Sequence, residues 1–198
     1  MTAGIKANAD GSAAIQVGGS DAITITSGLV TSINGGVGGL VAGTAQTAPP
    51  TIPQYFDFTS IPSWVKRITV MFSGVSTSGS SPVQIQIGAG SVTITGYSNI
   101  GGLITNANQT AASSATSGFS EASSGAITSA GTRFGSIIIN NLTSNTWVAS
   151  GVYANVGNSI MEYIAGSIAL GGTLDRVRIT TVNGTDTFDA GTINILYE

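Results

Sequence analysis

WVKRITVMF, residues 64–72, places Trp64, Ile68, Val70 and Phe72 on one side of an extended chain and Val65, Arg67, Thr69 and Met71 on the other. The period is two, so the stretch predicts a strand whose first face, Trp64 included, is buried in a core. Lys66 and Arg67 are adjacent in it and therefore point to opposite faces, which rules them out as one bidentate clamp. The cation beside Trp64 must then reach water past the tryptophan or meet a carboxylate such as Asp57 or Asp175.

The same alternation recurs outward from this strand. PVQIQIG, residues 82–88, turns Val83, Ile85 and Ile87 inward and Gln84 and Gln86 outward, and SVTITGY repeats the pattern with Val92 and Ile94. GSIIINNL and NTWVASGVY predict two more strands, with the NN and SN pairs as turn material. In LDRVRITTV, Val177 and Ile179 face the core while Arg176 and Arg178 share the exposed side; NGTD supplies a turn, and INILYE ends the chain as a strand. Residues 105–132 are polar and small, with no helical face, and predict a loop excursion. SIMEYIAGSIAL, residues 159–170, is the one segment that suits a short helix, although its β-branched residues and internal glycine oppose it. Many short strands at this spacing predict an all-β protein, an antiparallel β-sandwich of jelly-roll type.

Before this domain the pattern is thinner. AAIQVGGSDAITIT gives two short strands carrying Ile15 and Val17, then Ile23 and Ile25, too little apolar mass for a core of their own. A glycine-rich run, INGGVGGLVAG, follows at residues 33–43, and then AQTAPPTIP, whose prolines exclude helix and central strand. The expected organisation is a short β-rich N-terminal appendage, residues 1–48, and a β-sandwich domain, residues 49–198.

Composition removes several function classes. The chain of 198 residues has no histidine and no cysteine, which excludes a histidine base, a thiolate nucleophile and the commonest metal ligands. Six basic and nine acidic residues, with no basic block, argue against nucleic-acid binding. No apolar run reaches the roughly 18 residues of a membrane helix, and no basic-then-apolar leader opens the chain, so synthesis and retention in a cytoplasm are expected. Asp186 and Asp189 are the closest carboxylates, and an Asx-turn or bulge is the simplest reading of them. No phosphate loop, calcium loop or serine triad can be assembled. A protein without enzymatic activity, cofactor or metal is expected, and Lys66, Arg67, Arg176 and Arg178 are its candidate surface contacts.

FTSIPSWVKRITVMFSGVSTSG, with its Ile-Pro-x-Trp-Val-Lys-Arg strand, and LDRVRITTVNGTDTFDAGTINILYE, with its Asn-Gly-Thr-Asp-Thr-Phe-Asp-Ala-Gly turn, resemble the distal domain of tailed-bacteriophage tail and tail-fibre proteins. The resemblance spans roughly residues 56–198. It implies a virion structural protein, trimeric, that is a short tail fibre or receptor-binding protein, or else a capsid decoration protein; a glycan-cleaving spike is the third alternative. The expected partners are further copies of the chain, other virion proteins through the N-terminal segment, and a glycan or protein of the host surface.

Only 8% of residues are charged, too few to protect several strand edges, which argues for edges hidden in an oligomer. The glycine-rich run suits close approach of three backbones, so Ile33, Gly36, Gly39 and Val41 are the candidate trimer-axis residues.

Overall fold

A computed structural model describes residues 3–7, 13–17, 20–26, 29–33, 40–48, 53–108 and 110–198. The chain divides into two units, residues 1–39 and 40–198. The first is an antiparallel meander of β1 (Ala3–Ala7), β2 (Ala13–Val17), β3 (Ser20–Thr26) and β4 (Leu29–Ile33), paired in sequence order. It contains the two expected strands and one more on each side.

The second unit is an antiparallel β-sandwich. Its strands are β5 (Val41–Ala42), β6 (Gln46–Thr47), β7 (Tyr55–Thr59), β8 (Arg67–Thr77), β9 (Val83–Ala89), β10 (Ser91–Val92), β11 (Ser98–Thr105), β12 (Thr110–Ala115), β13 (Phe119–Ser120), β14 (Arg133–Thr143), β15 (Thr146–Asn155), β16 (Ile160–Ala169), β17 (Arg176–Thr181) and β18 (Phe188–Tyr197). The smaller sheet runs β10-β9-β17-β7 with β13 beside β9; the larger runs β12-β11-β16-β15-β14-β8-β18-β5 with β6 also on β18. Ile68, Val70 and Phe72 of β8, Ile137 and Ile139 of β14 and Ile193 and Ile195 of β18 pack against Val83, Ile85 and Ile87 of β9 and Val177 and Ile179 of β17. Alternation made these strands, and burying their β-branched faces joins them.

Several expectations change. The unit boundary lies between Gly39 and Leu40, not after Ala48, because β5 and β6 pair with β18 and Gly43 N donates to Ile195 O at 2.8 Å. Val41 thus pairs with Tyr197 inside the sandwich unit, Ile33 ends β4, and Gly36 and Gly39 lie outside the described residues. Within residues 159–170, Ile160–Ala169 forms strand β16 rather than a helix. Ile160, Ile164 and Ile168 alternate to the core, and pairing with both β15 and β11 outweighs any helical preference. The NN pair lies inside β14, and the turn is Ser144-Asn145.

The 105–132 excursion is more than a loop. It carries β12 and β13, then passes inside the sandwich, burying Phe119, Glu121, Ala122 and Ile127. Gly101 makes the passage possible: a Cβ there would collide with the backbone of residues 120–122. Gln84 and Gln86 do face outward, opposite Thr180 and Arg178, but because the excursion covers β9 they are buried there. Gln84 Nε2 donates to Thr181 O at 3.3 Å, and Gln86 Nε2 to Ser117 O at 2.9 Å.

Candidate functional site

Trp64 lies outside the strand. A turn closed by Val65 N donating to Pro62 O precedes β8, so Val65 takes the buried position and Trp64 is half-buried against Tyr197, ring centroids 6.0 Å apart. Lys66 also precedes the strand, and both cations are exposed; their N–H groups converge on Glu198 O at 2.7 and 2.8 Å. Arg67 is ion-paired with Glu198, and Lys66 Nζ donates to Asn141 Oδ1 at 3.4 Å. Neither cation meets Asp57 or Asp175, which are engaged by the other two candidates.

That second pair builds the more structured site. In the β17–β7 ladder Arg178 stands opposite Asp57, and Thr180 opposite Tyr55. The Arg178 guanidinium is held by both carboxylate oxygens of Asp57, at 2.7 and 2.6 Å, and lies over the Tyr55 ring, 3.9 Å from its centroid. The bonds to Asp57, more than its bare charge, keep the guanidinium protonated more firmly than usual. Arg176 grips Asp175 in the same bidentate way at 2.7 and 3.0 Å, which holds that carboxyl below its ordinary range.

Beside Arg178 the outer face of the smaller sheet is hollowed into a groove of about 430 Å³. Gln84, Gln86 and Thr180 floor it, Tyr55 and Gln54 stand on one side, Ile94 and Ser117 on the other, and residues 181–184 close one end. Its polar side chains are tethered: Ser117 Oγ donates to Gln84 Oε1 at 2.8 Å, and Thr180 Oγ1 donates to the backbone O of Gln54 at 3.1 Å. Rigid amides, a guanidinium and a half-exposed tyrosine suit recognition of a polar ligand. Among the described residues no three Asp or Glu side chains gather as metal ligands.

Asp186 and Asp189 do turn work. Asn183 Oδ1 accepts from Thr185 N and Asp186 N, each at 3.0 Å, while Asp186 accepts from Ser81 N at 2.9 Å and from Asn183 Nδ2 at 2.8 Å. Asp189 accepts from Ser76 Oγ where the β8–β18 register shifts.

Sequence reasoning missed a charged cluster in the interior. Glu121 accepts from Arg133 Nε, from Arg133 Nη2 at 2.9 Å, from Tyr153 Oη at 2.6 Å and from Val83 N at 2.8 Å, all buried. Burial works against the Arg133 charge, but the Glu121 carboxylate outweighs it and holds the proton on. Burial, then Glu121, lifts the Tyr153 hydroxyl well above its ordinary range. Glu162, opposite Tyr153 in the β15–β16 ladder, is pushed up to about 8, by burial first and the Glu121 charge second; its Oε1 accepts from Asn155 Nδ2 at 3.0 Å. The signal was present for Glu162, which shares parity with Ile160 and Ile164.

Compared with protein-family models, with curated proteins and with solved structures, the chain matches none.

Proposed function

We propose that this chain is a non-enzymatic structural protein of a tailed-phage virion, serving as a short tail fibre or receptor-binding protein. In this reading it is a homotrimer whose N-terminal unit meets other virion proteins and whose sandwich meets a host-surface glycan or protein. The observation that carries the contact role is the groove beside Tyr55 and Arg178. Its guanidinium is fixed by Asp57 through Nε and Nη2, and its floor amides are bonded to backbone and Ser117, so it offers donors and acceptors in set positions. The resemblance at both ends of the sandwich supports placing it in a virion.

The apolar centre of the larger sheet's outer face favours a second reading, a capsid decoration protein, because a lattice-forming subunit must lay such surfaces against its neighbours. Copy number separates the two. Quantitative gel densitometry of purified particles should give a few copies per tail for a fibre, and a number approaching that of the major capsid subunit for a decoration protein. Absence from purified particles refutes both. Host-cell binding by the purified protein, abolished by Tyr55→Ala with Arg178→Ala, tests the groove directly.

A further inference from the structure

We infer that the outer face of the larger sheet is the surface on which a second copy of this chain docks. Facing rows of the β14, β15, β16 and β11 ladders bring Phe134, Ile138, Val152, Met161, Tyr163 and Ile100 onto this face. Each is between 37% and 58% exposed, an unusual density of large apolar groups for free surface. Tyr163 is laid flat across Gly102, where any Cβ would collide with its ring, so the face is smooth at its centre.

The distribution of charge matches this reading. In residues 40–198, Glu121, Arg133 and Glu162 are interior, Asp57, Asp175, Arg176 and Arg178 belong to the smaller sheet, and Asp186 is in a turn. The remaining charges stand at the margins of the β14–β8–β18 strands: Lys66 beside Asn141 and Arg67 paired with Glu198 at one end, and Asp189 at the other. An apolar centre with a polar rim is the anatomy of a protein interface. The strands from β12 to β18 span roughly 1,000 Å² at the usual strand spacing and rise, enough for the roughly 800 Å² per partner of a stable interface. A face charged only at its margins gives a foreign partner little electrostatic address, yet its centre lies against its own copy without like-charge repulsion. The occupant assigned is therefore this chain itself.

Light scattering of the full chain at micromolar concentration tests the assignment. Since the inference deepens the homotrimer proposed above, the expected result is about three times 19.7 kDa. Ile100→Lys with Val152→Lys, both about half exposed, should weaken assembly at least about a hundredfold while leaving the circular dichroism of the sheet unchanged. Ile94→Lys, 62% exposed on the groove side, should leave the mass unaltered. Because the chain has no cysteine, a spin label on Ser150→Cys, central to the face, should show dipolar coupling to the label of another copy. This keeps the test open if the lysine variant misfolds. A monomeric wild type, a mass unchanged by the paired lysines, absent coupling, or flotation of the monomer with phosphatidylglycerol vesicles would each overturn the inference.

Discussion

Replacing Glu162 by glutamine should stabilise the protein at neutral pH. The folded chain keeps the Glu162 proton until about 8, while the unfolded chain releases it from about 4.5. Between these limits the folded state binds more protons, so this group's contribution to stability is complete below 4.5 and is lost as pH rises towards 8. Each pH unit in that window is worth about 1.4 kcal/mol, so the loss is about 3 kcal/mol at pH 7 and about 5 kcal/mol by pH 8. Glutamine mimics the neutral acid, and its carbonyl oxygen can keep the bond from Asn155 Nδ2. The variant should therefore match wild type near pH 4.5, gain about 3 kcal/mol at pH 7 and be nearly flat across the range. Urea denaturation at pH 4.5, 6, 7 and 8, read by the fluorescence of buried Trp147, measures this. No histidine or cysteine adds its own titration to this window. A variant less stable than wild type at pH 7, or a difference that does not vary with pH, would refute the reasoning.

Arg133→Met should cost about 3–5 kcal/mol, because it leaves the buried Glu121 carboxylate without its countercharge; a loss under 1 kcal/mol in the same assay would contradict the pairing. Trp64→Ala, at a half-buried site against Tyr197, should cost less than the roughly 3–5 kcal/mol of a fully buried tryptophan, and thermal melts should show a cooperative transition. A protein starting at Leu40 should melt cooperatively, whereas one starting at Thr51 should melt earlier, since it lacks the β5 and β6 pairings to β18; equal melting temperatures would show that those pairings contribute nothing.

What was legible in the sequence is what period two can carry. Ile68, Val70 and Phe72, Val83 to Ile87, and Val177 with Ile179 declared their faces, and those strands form the core. The method failed where a residue's environment comes from elsewhere in the chain. Gln84 and Gln86 were rightly read as outward, but nothing local says that Ser117 will cover and bury them there. Glu121 and Arg133 have no periodic context, and only the route of the excursion over Gly101 brings them together. Arg178 was rightly placed on an exposed face, but its partner Asp57 is 121 residues away, a distance no local spacing could bridge. Trp64 was misplaced because Pro62 delays the start of the strand.

The neighbours of β7 and β8 have a consequence for how the chain matures on the ribosome. β7 pairs with β17, and β8 lies between β14 and β18, so partners for residues 55–77 arrive only after residue 132 and are complete only after residue 187. At roughly 5–20 residues per second, the nascent chain carries one edge of β8 unpaired for about 5–25 seconds. Such non-local closure makes a slow folder whose apolar strands stand open during synthesis. Translation speed over the segment between β8 and β18 is therefore a variable that sets how much of the protein reaches its native form and how much is captured by neighbouring chains, and slowing synthesis there should raise the aggregated share.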